Sequence, residues 1–124
     1  MKLLEAIKSN DILLLDGATG TQLDKRGIMG KADANLANRD IVLEIQRQYV
    51  QSGSEAIISN TCVLNRIYIE SHNIDVPIEQ INKAGIEIAR EAIGPDKFVL
   101  GDISSTGQLL EPYGTYKESQ FYDA

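Results

Sequence analysis

Three short apolar runs, each closed by a polar residue, constrain this chain more than any other feature. They are Ile12-Leu13-Leu14-Leu15 before Asp16-Gly17, Ala56-Ile57-Ile58 before Ser59-Asn60-Thr61, and Phe98-Val99-Leu100 before Gly101-Asp102. Each run is continuous rather than alternating, the pattern of a strand buried on both faces. Asp16 and Asn60 lie 44 residues apart, and Asn60 and Asp102 lie 42 apart. Helical periodicity fills the intervals, so the order reads βαβαβ with a parallel sheet.

The helical segments are legible from their apolar spacing. Residues 2–8 read as a short opening helix with Leu3, Leu4 and Ile7 on one side. Segment 40–52 puts Ile41, Ile45 and Tyr49 on one stripe beside Val42, with Asn38 as N-cap and Gly53 just past the end. Segment 63–72 carries Leu64, Ile67 and Tyr68 and stops at Asn73. Segment 77–93 opens on Pro77 and presents Ile78, Ile81, Gly85, Ile88 and Ala92 at steps of three and four. Gly85 in that face predicts a close approach of the helix to the sheet, against a propensity cost of about 1 kcal/mol. A last helix begins near Lys117 and is cut by the end of the sequence.

A complete (β/α)8 barrel takes about 250 residues. The 124 residues here hold three of its strands, so the fold class read from the sequence is α/β with parallel strands. The expectation is the N-terminal part of such a barrel, about three βα units, as one domain over residues 1–124. Open strand edges also suggest an oligomer.

Composition excludes several classes. Eighteen acidic residues against 12 basic ones give a net charge of −6, and no basic cluster breaks the balance. That argues against nucleic acid and against anionic membrane surfaces. No apolar run approaches the roughly 18 residues of a membrane span, and residues 1–8 mix acid and base within their apolar stretch, unlike a secretory signal. The single cysteine, Cys62, rules out an internal disulfide and a multi-cysteine metal site within these residues. A reducing cytoplasm is the expected location.

Polar residues at the carboxyl ends of parallel strands are where such folds hold ligands. Asp16, Asn60-Thr61 and Asp102 occupy that level on three different strands. The small residues of Asp16-Gly17-Ala18-Thr19-Gly20-Thr21 let backbone N–H groups approach an anion, while Asp16 suits an ammonium group. A tight turn that needs glycine is the competing account. Asp102, Asn60 and Thr61 are each read either as ligand-binding or as holding their loops. Cys62 reads as a small, partly buried residue and His72 as a surface residue. Lys83, Glu87, Arg90 and Glu91 read as a solvated helix face with pairing at i,i+4. Tyr113 and Tyr116 read as packing their own loop.

Ordered motifs at these strand ends carry a resemblance. Leu15 to Thr21 is similar to a DGAMGT-type opening loop. Tyr49 to Thr61 is similar to a segment ending in TNT, and Asn65-Arg66 to the pair that often follows it. Ile81-Asn82-Lys83-Ala84 with Ala89-Arg90-Glu91-Ala92, then Gly101 to Gly107 and Leu109 to Gly114, complete the series. Together they resemble the homocysteine S-methyltransferase domain family. That domain opens cobalamin-dependent methionine synthase and related corrinoid-protein methyltransferases.

The resemblance implies a (β/α)8 barrel that methylates the thiol of homocysteine in methionine biosynthesis. It implies a zinc ion held by three cysteines that stabilises the thiolate. The implied methyl donor is a methyl-corrinoid such as methyl-cobalamin, betaine or S-methylmethionine. A corrinoid protein or domain is an implied partner. By position, Asp16, Gly17, Ala18 and Thr19 fall at the substrate, with Thr61 and Asp102 as further members. The family's zinc cysteines lie on later strands, so no residue here takes that role, and Cys62 stands where Phe is common. Ser104-Ser105 replaces a usual Gly-Pro, and Arg39-Asp40 a usual Pro-Glu.

Three functions follow from these readings. The first is the N-terminal segment of a zinc-dependent thiol methyltransferase, inactive alone. The second is a free-standing α/β module that binds a small anion or amino acid. The third is a half-barrel that completes itself by oligomerising.

Overall fold

The computed structural model describes residues 2–9 and 12–124. Its regular strands, β1 (Ala56–Ile58) and β2 (Phe98–Leu100), run parallel, with Ala56 beside Phe98, Ile57 beside Val99 and Ile58 beside Leu100. Around this two-stranded sheet the fold is mixed helix and strand. The first apolar run reaches the sheet without becoming a regular strand. Leu15 bridges Ala56 in parallel, Leu14 O accepts from Glu55 N and Ala56 N, and Asp16 N donates to Ala56 O. No other described segment pairs with it, and Ile12 is 89% exposed. This corrects the expectation of three strands buried on both faces: only Ala56 and Ile57 are fully buried, and β2 is half-buried throughout. Continuous apolarity marks a sheet segment, but its burial needs a neighbour on each side.

Seven helices complete the described residues: α1 (Leu3–Lys8), α2 (Gly20–Lys25), α3 (Ala34–Ala37), α4 (Arg39–Gln51), α5 (Arg66–Ser71), α6 (Ile78–Ile93) and α7 (Glu118–Tyr122). The two long helices, α4 and α6, lie within a residue of their expected bounds. Gly53 ends the first of them at φ +107°, a conformation other residues avoid. Asn38 makes no side-chain capping bond, whereas Asn65 caps α5 by accepting from Tyr68 N at 2.9 Å. That cap starts α5 at Arg66, three residues later than the apolar spacing implied. In α1 the expected apolar face is largely unburied: Leu4 and Ile7 are exposed, Leu3 is half-buried, and Ala6 alone is fully buried.

The core sits between the sheet and the long helices. Ile57, Ala89 and Ile93 pack with Tyr49, Val50 and Val99, joining β1 to α4 and α6. Leu23, Ala34, Val42, Leu43, Ile45 and Ile88 extend that layer over α2 and α3. On the surface, Lys83 pairs with Glu87 at 3.9 Å along α6, as the spacing implied. Glu91 instead reaches across to α4, accepting from Arg39 at 2.6 Å and Arg47 at 3.2 Å. Arg90 donates to the carbonyls of Gly94 and Lys97.

Gly85 marks a close approach as expected, but to α3 and the loop after β1 rather than to the sheet itself. A Cβ at that position would lie 2.7 Å from Asn35 Nδ2 and 2.8 Å from Thr61 Cγ2. The missing side chain lets α6 sit directly on the loop that follows β1, and that loop forms one wall of the site.

Candidate functional site

The segments leaving Leu15, β1 and β2 open onto a common cleft of about 550 Å³. Asp16, Gly17, Ala18, Thr19 and Gly20 line one side, with Lys31 and Ala32 beside them. Ile58, Ser59, Asn60, Cys62, Val63 and Leu64 line the second side, and Asp102 the third. Asp16, Gly17, Ala18, Thr19 and Asp102 are therefore brought together as the strand-end argument expects. Thr61 does not line the cleft. It is buried, and its hydroxyl donates to Asp102 O at 2.8 Å.

Asp16 is fixed to the sheet through both its backbone N–H and its side chain. Its N–H donates to Ala56 O at 3.1 Å, and its Oδ1 accepts from Ile58 N at 3.1 Å. Partial burial raises its carboxyl above its ordinary value, against the opposing pull of the Ile58 and Asp16 backbone N–H groups. Oδ2 bonds to no other described residue. The N–H groups of Gly17, Ala18 and Thr19 likewise donate to no acceptor among the described residues. Gly17 is required by close approach: a Cβ there would lie 2.7 Å from the Tyr49 ring, whose hydroxyl donates to Ala18 O at 3.0 Å. The cleft thus carries free backbone donors beside a free carboxylate oxygen.

Lys31 is the cation of the cleft, and sequence reasoning missed it. Its Nζ pairs with Asp24 Oδ2 at 2.9 Å and lies about 3.7 Å from where a Gly20 Cβ would stand. Asn35 was also missed. It is buried, donates to Asn60 O at 2.7 Å and Ile81 O at 3.2 Å, and accepts from Asn60 Nδ2 at 2.9 Å. Asn35 therefore ties α3 and α6 to the second wall. The signal for Asn35 was weak, since a polar residue in a four-residue helix reads as surface.

Cys62 lines the cleft and is exposed rather than partly buried, with its carbonyl accepting from Ser104 Oγ. Ser104, at a position where the resemblance expects glycine, thereby joins the third loop to the second. His72 is exposed, stacks on Tyr68 with ring centroids 3.9 Å apart, and stays outside the cleft lining. Tyr116 packs against Phe121, while Tyr113 is exposed. The donor set does not fit a zinc ion: no three His, Cys, Asp or Glu side chains among the described residues are grouped to hold a metal. No described helix is long and apolar enough to cross a membrane.

A solved structure shares this fold, and sequence relatives accompany it. The solved homocysteine methyltransferase MmuM from Escherichia coli, in metallated form, superposes with a TM-score of 0.69 at 21% identity, covering 84% of this chain and 42% of that one. Homocysteine S-methyltransferase 2 of Saccharomyces cerevisiae is 26% identical over 138 residues, covering 90% of this chain and 42% of the relative. Methionine synthase of Mycobacterium tuberculosis is 32% identical over 118 residues, covering 83% of this chain and 10% of the relative. The chain spans less than half the length of these relatives. A profile described as homocysteine S-methyltransferase matches residues 13–124. With that match running over nearly all of its sequence, the chain belongs to the homocysteine S-methyltransferase family.

Proposed function

We propose that this chain forms about three βα units at the N-terminal side of a (β/α)8 barrel that methylates the thiol of homocysteine. In this reading it supplies the amino-acid half of the substrate site. One observation carries the proposal: Asp16, the Gly17-to-Gly20 backbone, Lys31 and Asp102 come from separate segments and line one cleft at the strand ends. An amino acid presents a cation and an anion a few ångströms apart. The free Asp16 Oδ2 and the Asp102 carboxylate suit the ammonium group, and the free N–H groups of Gly17, Ala18 and Thr19 suit the carboxylate with Lys31 nearby. Thr61 supports this wall from behind.

The chain's own residues bind and orient the amino acid, and no step is assigned to zinc, for which they offer no donor set. The methyl group comes from a donor outside this chain, methyl-cobalamin on a corrinoid protein among the candidates. The reading assigns the protein to the cytoplasm, where an exposed free thiol such as Cys62 stays reduced.

Calorimetry tests the binding half. Homocysteine is expected to bind more tightly than the same thiol lacking either its amino or its carboxyl group. Asp16→Ala is expected to weaken homocysteine by about 1.5–3 kcal/mol, the scale of a charged hydrogen bond. The amine-free thiol is expected to lose nothing. Equal affinities for all three thiols overturn the reading.

The open sheet favours a second reading, a half-barrel that completes itself with another copy. Beyond β2, Ile103, Leu109 and Tyr113 are exposed, and among the described residues β2 pairs with β1 alone. Light scattering separates the two, because a monomer of 13.6 kDa eliminates the second.

A further inference from the structure

Three hydrogen bonds between the second and third sides of the cleft form a closed circuit whose proton directions follow from donor chemistry alone. Asp102 N donates to Ser59 Oγ at 3.1 Å, and Thr61 Oγ1 donates to Asp102 O at 2.8 Å. Ser59 Oγ and Thr61 Oγ1 stand 2.8 Å apart. A hydroxyl carries one proton, and that of Thr61 already lies on the Asp102 carbonyl. The Ser59 hydroxyl must therefore donate to Thr61 while accepting from Asp102 N. Protons run from Asp102 N–H through Ser59 and Thr61 to Asp102 C=O, in one direction and with no bond unmade.

The circuit is buried, with Ser59 3% and Thr61 7% exposed. Its ends are the two backbone groups of a single residue, so Asp102 is held on both sides of its Cα. Ser59 N also donates to Leu100 O at 2.9 Å, which extends the grip two residues back to the end of β2. The Thr61 rotamer is set from behind, because its Cγ2 fills the space a Gly85 side chain would take. Asp102 itself lines the cleft, and its carboxylate has no hydrogen-bond or ion-pair partner among the described residues. Immobilised main chain beneath an unpaired carboxylate is the arrangement that preorganises a charged contact.

We infer that Ser59 and Thr61 are positioning residues that aim the Asp102 carboxylate at a cationic group of the ligand, and that Thr61 does not touch the ligand. This deepens the preceding functional reading and rests on it only for the ligand. The test measures hydrogen exchange of the Asp102 amide and calorimetric binding of homocysteine in the 124-residue chain. Thr61→Val keeps the side-chain shape and removes the hydroxyl, and Thr61→Ser keeps the hydroxyl. Ser59→Ala and Thr61→Val are each expected to speed Asp102 amide exchange and weaken homocysteine about tenfold, the effect of about one lost hydrogen bond. Thr61→Ser is expected to restore both. In an Asp102→Ala background, Thr61→Val is expected to change affinity less than about twofold, as for residues acting through one another.

An equal Thr61→Val penalty with and without the Asp102 carboxylate overturns the inference, since Thr61 would then contact the ligand directly. Unchanged Asp102 amide exchange in Thr61→Val also overturns it. If wild-type chain binds no homocysteine, the functional reading fails by itself. The amide exchange of Thr61→Val against Thr61→Ser then still decides whether the circuit holds Asp102.

Discussion

Asp16 is held at odds with its own solvation. Burial raises its carboxyl above the ordinary 3.8, so the folded chain keeps this proton more tightly than the unfolded chain does. Its contribution to stability is full below 3.8 and is lost as pH rises through the raised value. At neutral pH the ionised side chain therefore works against folding. Asp16→Asn retains an oxygen to accept from Ile58 N and removes the charge. It is expected to stabilise the chain at pH 7 by less than about 1 kcal/mol, because solvent screens a partly exposed carboxyl. Below the raised range the advantage is expected to vanish, as urea unfolding at the two pH values measures. An Asn variant less stable at neutral pH would contradict this account. Ligand binding is expected to run the other way. An ammonium group favours the ionised carboxylate, so homocysteine affinity should fall as pH drops through the same range. A residue that opposes folding yet suits a ligand fits a binding site better than a structural turn.

Among the elements, α6 couples most of the fold to the cleft. Gly85→Ala would gain about 1 kcal/mol of helix propensity. The added methyl would meet Asn35 and Thr61 under 3 Å away, and neither is free to yield, since both side chains are hydrogen-bonded. A net loss of about 1–2 kcal/mol is expected, within the range for overpacking, and denaturant unfolding measures it. Asn35→Ala is expected to lose about 1–3 kcal/mol by leaving the Asn60 and Ile81 acceptors without their donor. These two positions also separate what the sequence discloses from what it withholds. A glycine on the inner stripe of a helix is visible as a break in an apolar pattern, so the close approach at Gly85 was legible. Asn35 was not, because a buried polar residue looks like a surface one until its partners, 25 and 46 residues away, are in place. Helix α3 escaped notice because four residues are too few to display a period, and α2 because Leu23 is its one large apolar residue. That Asp16 and Asp102 would line one cleft was legible because strand ends follow from topology. The direction of the Thr61 hydroxyl depends on a rotamer set by Gly85, which no local pattern encodes.

At the scale of the molecule, the role proposed for the cleft is to hold a substrate rather than to activate it. The first apolar run illustrates why. Ile12, Leu14 and Leu15 are exposed on a segment whose composition suits a buried strand, and Ile103, three residues past β2, is exposed as well. Apolar segments of that kind ask for neighbours on both sides, and in a closed barrel they have them. In the proposed reading, a cleft bounded on part of its rim would hold the charged ends of an amino acid and leave its thiol facing open space. A free thiol near neutral pH is ionised to only a few per cent, so methylation needs a group that stabilises the thiolate. Cys62 is the sequence's single cysteine, and no cluster of three metal-binding side chains occurs among the described residues. The purified chain is therefore expected to bind homocysteine yet give no methyl transfer above the uncatalysed rate, with zinc and a methyl donor supplied. Turnover by the 124-residue chain would mean that activation arises from the residues described here, and the division between holding and activating would fall.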